Sequence, residues 1–210
     1  MFRDRIDAGV KLAAKLQKYR EESGVVLAIP RGGVPVAYAV ARELNLPLEI
    51  ILTKKIGHPS NKEYAIGAVS LTDYFVIPHP GITDQYIQEE LKEIRARLRQ
   101  MQERYSHDYT PADIKDKIVI LIDDGIATGN TILATIKVLN KGNPAKIIVA
   151  TPVASQSAVD KLVSEVDEVV VVLIPKEFYG VGAFYQDFDQ VSDQEVQNYL
   201  ENLREFRPTG

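Results

Sequence analysis

The residues with the clearest chemistry are two adjacent carboxylates, Asp123 and Asp124, at the end of the aliphatic run Val119-Ile120-Leu121-Ile122. After them comes Gly125-Ile126-Ala127-Thr128-Gly129-Asn130-Thr131, a small-residue loop running into a helical pattern. A buried parallel strand delivers its last residues to the carboxyl edge of a sheet, where open α/β folds bind ligands. Side chains alternate along a strand, but both acids can reach one crevice where the strand gives way to a loop. Backbone N–H groups at the start of the next helix, with the hydroxyls of Thr128 and Thr131, make a cup for a phosphate. Acids beside such a cup make little sense for a bare anion. They suit a sugar phosphate, whose hydroxyls donate to the carboxylates while its phosphate sits in the loop.

A second constellation is Ala28-Ile29-Pro30-Arg31-Gly32-Gly33-Val34-Pro35, again an aliphatic strand breaking into a helix. By itself the pair Gly32-Gly33 can be no more than a tight turn. Beside the first motif it offers bare backbone and the Arg31 guanidinium to a second anionic group.

Elements in βα alternation must position these groups. Residues 4–20 carry Ile6, Val10, Ala13 and Tyr19 at helical spacing. The all-apolar run 25–29 reads as a strand buried on both faces, 34–44 as a helix and 48–52 as the next strand, with Lys54-Lys55 closing it. Residues 53–79 are irregular, with a polar loop over 57–63 and strands predicted at 65–70 and 74–77. Thr83 caps a long helix whose stripe is Ile87, Leu91, Ile94, Leu98, Met101 and Tyr105, covering either the core or a partner copy. Its arginines read as a solvated face, with Glu93 pairing Arg97. After Pro111, strands are predicted at 117–122, 146–153 and 168–174, with helices at 130–140 and 155–166. Ser192-Asp193-Gln194-Glu195 is a capping box opening a last helix that turns Val196, Leu200, Leu203 and Phe206 inward. The expected fold class is α/β, a parallel-sheet core flanked by helices. One domain spans 1–210, with an insertion at about 72–112 and a hood built from about 175–210 and the N-terminus.

Composition narrows the classes. The 210 residues include no Cys, carry a formal charge of −4, and are 45% apolar and 26% charged. There is thus no disulfide framework or thiolate chemistry, and no wholesale attraction to nucleic acid. The longest apolar run, Val169 to Ile174, is far short of the roughly 20 residues of a membrane helix. The start of the chain does not read as a secretory signal, so a cytoplasmic setting is expected. His58, His79 and His107 have no metal-ligand spacing and read as surface histidines.

The acid-pair segment resembles the phosphoribosyl-pyrophosphate (PRPP) motif of type I phosphoribosyltransferases. In that family the two acids, here Asp123 and Asp124, hold the ribose hydroxyls, and the loop, here Ala127, Thr128, Gly129, Asn130 and Thr131, holds the 5′-phosphate. The resemblance makes Arg31, Gly32 and Gly33 the pyrophosphate loop, a segment of the family in which strained or cis peptides occur. It gives Lys55, or its neighbour Lys54, a charge on the pyrophosphate. Residues 174–188 resemble the base-binding hood of the hypoxanthine-guanine enzymes with one residue inserted. There Phe178 or Tyr179 would stack on the base, and Asp187 would face the diphosphate and metal. Mg²⁺ is the implied cofactor, held by Asp187 and Asp123 mostly through PRPP and water. Residues 55–69 lie where the family keeps its mobile catalytic loop, and Glu63 there reads as a surface carboxylate with an acid/base role as the alternative.

Two departures bear on the acceptor. The 6-oxopurine enzymes carry an Asp where this chain has Ala127, and a Lys on the following strand that residues 147–153 do not supply. These argue against hypoxanthine, guanine and xanthine without selecting adenine. The chain is most similar to candidate phosphoribosyltransferases of unassigned acceptor. The resemblance implies a Mg²⁺-dependent homodimer that transfers phosphoribosyl from PRPP to a nucleobase-like acceptor, with no nucleic-acid or membrane partner. The alternative is a non-catalytic PRPP- or nucleotide-sensing regulator on the same fold.

Overall fold

The computed structural model describes residues 1–105 and 113–205, apart from the side chains of Glu63, Arg204 and Glu205. The readings made above for His107, Pro111 and Phe206 lie outside the described residues. Five strands form one parallel sheet: β1 (Gly24–Ala28), β2 (Leu48–Ile50), β6 (Ile118–Ile122), β7 (Lys146–Val153) and β8 (Glu168–Leu173), in the order β2-β1-β6-β7-β8. Helices α1 (Arg5–Lys15) and α2 (Gly33–Leu44) lie against one face, with α6 (Asp193–Glu205) packed on α2; α4 (Asn130–Leu139) and α5 (Gln156–Leu162) lie against the other. Three further strands, β3 (Lys54–His58), β4 (Asn61–Val69) and β5 (Tyr74–Val76), form a small antiparallel sheet, followed by the long helix α3 (Asp84–Tyr105).

The alternation within β1 and β6 explains why both read as unbroken apolar runs. Val26, Ala28, Ile120 and Ile122 join the core under α1, α2 and α6, whereas Val25, Leu27, Val119 and Leu121 join the core under α4 and α5. Every position but Ile118 is therefore buried, and each large buried aliphatic contributes about 1.5–3 kcal/mol by leaving water.

The α3 stripe covers the core rather than a partner copy: Ile87, Leu91, Ile94, Leu98 and Tyr105 are all buried in the cluster that contains β1. Thr83 caps α3, its hydroxyl accepting the Tyr86 N–H at 3.2 Å, and the Glu93–Arg97 pair forms on its exposed side. At α6 the Ser192 hydroxyl accepts the Glu195 N–H while Glu195 takes the Ser192 N–H, completing the capping box.

Three expectations fail. The helix predicted over 4–20 stops at Lys15 and ends in a single 3-10 turn, Gln17–Tyr19. Its inward face is Ala8, Gly9, Leu12 and Ala13, and Val10 points outward at 49% exposure. The reason is close packing: a Cβ on Gly9 would lie 2.6 Å from the Val36 carbonyl oxygen, so α1 rests directly on the α2 backbone. Lys54 and Lys55 do not end β2, which stops at Ile50; they open β3 in the small sheet. The crossing between the sheets is tied to α4 by the Thr53 and Thr135 hydroxyls, 2.8 Å apart. The polar loop predicted over 57–63 is instead the tip of the β3–β4 hairpin. Irregular pairing on both sides of Gly57 breaks the two-residue alternation that would have revealed β3 and the start of β4, whereas the strands predicted at 65–70 and 74–77 fall on the rest of β4 and on β5.

Candidate functional site

The sheet order has one switch point, between β1 and β6. From β1 the chain builds outward to β2, and from β6 it builds the other way through β7 and β8. Ala28 pairs with Ile122 at the carboxyl ends of these two strands. The Arg31–Gly33 loop and the Asp123–Asp124 pair therefore emerge side by side, over the crevice where such folds take ligands. Contact is close enough that a Cβ on Gly33 would lie 2.8 Å from the Ile122 carbonyl oxygen and 3.1 Å from Asp123 Cα. The Pro30–Arg31 peptide is cis, one bond before Arg31–Gly32.

The loop after the acids is held from several sides. Ile126 bridges to Ala154, donating its N–H to Val153 and accepting the Ser155 N–H. The Ser155 hydroxyl donates to the Ala127 carbonyl at 2.6 Å, and Lys161 Nζ reaches the Thr128 carbonyl at 3.1 Å. Gly129, at φ +75°, turns the chain into α4 in a conformation that a side chain disfavours. The carbonyls of Ala127 and Thr128 thus point toward α5, and α4 begins on a residue with no side-chain cap. Its first N–H groups suit an anion.

Both acids are partly buried, and each is shifted. Burial, and then the charge of Asp124, pushes Asp123 well above the usual carboxylate range. Burial also raises Asp124, opposed by Arg5. Asp123 accepts the Asp124 N–H at 2.9 Å, and the Thr151 hydroxyl donates to the Asp123 carbonyl. Asp124 takes a 2.9 Å ion pair from Arg5 Nε, and its carbonyl accepts the Tyr185 hydroxyl at 2.6 Å. Burial raises that phenol too, keeping it a donor. Two carboxylates kept partly from water and near one another are strong acceptors for neutral hydroxyl groups.

Sequence reasoning missed Arg5. It stands in the first turn of α1, 119 residues from Asp124, where local spacing carries no sign of it. The rest of its guanidinium donates to the Asp189 carbonyl at 2.7 Å and lies over the Phe188 ring, 3.9 Å from its centre. Arg31 forms an ion pair with Asp193 at 3.6 Å, and Arg104 approaches the same carboxylate at 3.9 Å. Arg5, Arg31, Gly32 and Asp124 line one open cleft of about 400 Å³.

The hood brings the two ends of the sequence together. Phe2 bridges to Tyr185, and the Arg3 carbonyl accepts the Asp187 N–H. The two aromatics named for stacking separate here. Phe178 packs toward Phe184, rings 5.6 Å apart, in the cluster that holds Phe2 and Tyr185. Tyr179 is 81% exposed, its hydroxyl donating to Glu177. Asp187 is exposed and accepts the Asp189 N–H. Among the described residues no three His, Asp or Glu side chains gather as a metal cage. Lys54 and Lys55 are exposed at the start of β3. Glu63 lies on β4, its side chain outside the described residues. His58 ends β3 and meets Tyr64 and His79 edge-on, an aromatic group that the spacing of those residues does not announce. No helix of the described residues is long and apolar enough to cross a membrane.

Comparison with known proteins shows the family and the fold. The family model described as "Phosphoribosyl transferase domain" matches residues 3–185. A protein of Mycobacterium tuberculosis H37Rv, Rv0571c, named as a candidate phosphoribosyl transferase, is 33% identical over 216 residues, covering 100% of this chain. That match takes in 49% of Rv0571c, so the chain spans about half the length of the curated relatives it matches. The crystal structure of TT1426 from Thermus thermophilus superimposes with a TM-score of 0.87 at 41% identity, over 96% of this chain and 98% of that one. AQ2163 of Aquifex aeolicus shares the fold at a TM-score of 0.51 and 14% identity, over 93% of this chain and 85% of that one.

Proposed function

The chain belongs to the phosphoribosyl transferase domain family, and from that premise we propose that it transfers 5-phosphoribosyl from Mg²⁺-bound PRPP to a nucleobase-like acceptor, releasing pyrophosphate. One observation carries the reading: the acid pair at the end of β6 and the Arg31–Gly33 loop at the end of β1 share one crevice at the switch point of the sheet. The loop that follows the acids leads into α4, whose start carries no side-chain cap.

In this reading the 5′-phosphate sits on the Ala127–Thr131 loop, Asp123 and Asp124 accept the ribose hydroxyls, and the diphosphate lies toward Arg31, Gly32 and Gly33. One of Lys54 and Lys55 adds charge from β3. The C1–O bond of the ribose breaks, its electron pair leaving with pyrophosphate, while a nitrogen of the acceptor forms the new C1–N bond. No covalent intermediate with the protein is needed. The protein's task is to hold the reacting atoms in line and to stabilise the departing charge. Mg²⁺ enters with PRPP, and Asp123 and Asp187 would face it mostly through PRPP and water, since among the described residues no three acidic side chains gather into a cage of their own. Tyr179, exposed on the hood, is better placed than Phe178 to stack on a base.

Titration calorimetry with Mg–PRPP tests the assignment. The Asp123→Asn/Asp124→Asn double variant should lose about 100-fold or more in affinity, as expected when two charged acceptors are removed. Unchanged affinity would show that the acids are not the ribose site. Pyrophosphate release across a panel of nucleobases then separates a transferase from a sensor: release with any base excludes the sensor, and binding without release supports it.

A further inference from the structure

We propose that Arg5 is an exchange residue: its guanidinium clasps Asp124 when the cleft is empty, and a bound diphosphate takes it over, freeing Asp124 for the ribose hydroxyls. The proposal rests on the sugar-phosphate reading of the site and extends it to a residue outside both sequence motifs. Its starting point is that the carboxylate is already spoken for. Asp124 Oδ2 is 2.9 Å from Arg5 Nε, and the same oxygen lies 2.0 Å from where a Cβ on residue 32 would stand. In this state the acid assigned to the sugar rests on the backbone assigned to the diphosphate, held there by an arginine.

Two ion pairs stand at the cleft. Arg5 is paired with Asp124, and Arg31 with Asp193. An entering polyanion gains little from a pair that stays closed, because each positive charge is already compensated at short range. It gains much from two released guanidiniums, which bind phosphate oxygens in bidentate fashion. The geometry leaves a partner for every group after the exchange. Asp193 keeps Arg104, 3.9 Å away. Asp124 gains hydroxyl donors from the sugar. Arg5 remains seated on the Phe188 ring and the Asp189 carbonyl, so only its contact with Asp124 need change. Its position is fixed further back by the contact of α1 with α2 at Gly9, four residues along the helix.

The consequence is coupling between two halves of one ligand. A sugar phosphate lacking the diphosphate must break the Arg5–Asp124 pair unaided, whereas one that carries it brings the replacement anion. This favours PRPP over ribose 5-phosphate by a linkage that is reciprocal by necessity.

The test uses the full chain, with ribose 5-phosphate and Mg–pyrophosphate as separate probes in calorimetry and melting temperature recorded beside them. In the wild type, saturating Mg–pyrophosphate should tighten ribose 5-phosphate binding by about fivefold, a typical coupling. Arg5→Met should weaken Mg–pyrophosphate by about tenfold, the scale of one charge-assisted contact, and erase the coupling. Arg5→Lys, which keeps the charge without the fork, should restore part of both. Arg5→Met that lowers both affinities equally, with the coupling intact, would overturn the exchange and leave Arg5 a structural clasp. Wild-type protein that binds ribose 5-phosphate but not pyrophosphate overturns the exchange while the sugar-phosphate reading stands; binding of neither removes both.

Discussion

The turn after β6 and the hairpin β3–β4 both bring polar, reactive side chains alongside α4, yet they hold them in opposite ways. The turn issues from a strand buried on both faces. Its carbonyls are engaged by Ser155 and Lys161, and its two carboxylates are drawn out of water. The hairpin belongs to a small sheet of its own and keeps Lys54, Lys55 and Tyr64 exposed, braced at its tip by the Tyr86 hydroxyl donating to the Gly57 carbonyl at 2.6 Å. A charge held in place by buried structure is costly and well positioned. A charge on an exposed strand costs little and is positioned only by what binds it. The first arrangement suits recognition of a fixed group such as a sugar, and the second suits a side chain that closes on its ligand.

Substitutions should separate the two regions, the largest effect coming where backbones touch. Gly33→Ala places a methyl group 2.8 Å from the Ile122 carbonyl, so denaturant unfolding should report a loss of about 3 kcal/mol, the upper end of what core overpacking typically costs. A loss below about 0.5 kcal/mol would mean that the β1–β6 crevice is looser than it looks.

Next in size, the hood should reproduce the contrast in two neighbouring residues. Phe178→Ala, losing its packing with Phe184, should cost about 2 kcal/mol, less than a fully buried phenylalanine. Tyr179→Ala should leave stability within about 0.5 kcal/mol and raise KM for the acceptor instead.

Asp123→Asn should stabilise the fold at pH 7, by about 1 kcal/mol or a few degrees in Tm, while weakening PRPP binding. The sign follows from the upward shift of Asp123. The folded protein binds this proton more tightly than the unfolded chain, so the wild type loses stability as pH rises through the folded value. The gain in the variant should therefore be present at neutral pH and vanish toward the ordinary carboxylate range. A gain that grew on acidification would contradict the burial of the acid.

Smallest of all, Lys54→Ala and Lys55→Ala should each change stability by no more than about 0.5 kcal/mol, as exposed positions do. Only one should weaken Mg–PRPP, because neighbours on a strand face opposite ways. Equal weakening by both would place the pair in solvent rather than at the site.

The parts of the candidate site that could be read in the sequence share a property: each is local. Asp123, Asp124 and the Ala127–Thr131 loop follow one another in a single strand–loop–helix passage, and Arg31, Gly32 and Gly33 in another. Their chemistry depends on residue types within about ten positions, and the buried strands before them advertise themselves as unbroken apolar runs. β3 and the start of β4 failed that test because irregular pairing around Gly57 destroys their alternation. The inward face of α1 was misread in part for a related reason: close packing selects the small residues Ala8 and Gly9, which apolar spacing passes over in favour of Val10.

By itself, then, the order of residues determined the βα alternation, the acid pair, the two glycine-bearing loops and the family they resemble. Each of these is set by backbone preference and burial over a short stretch of chain. The folded structure alone decided which arginine meets Asp124, which carboxylate holds Arg31, and which hood aromatic is left exposed. Those outcomes join residues more than a hundred positions apart, as Arg5 is from Asp124. They depend on how closely α1, α2 and the hood pack, which no local pattern records.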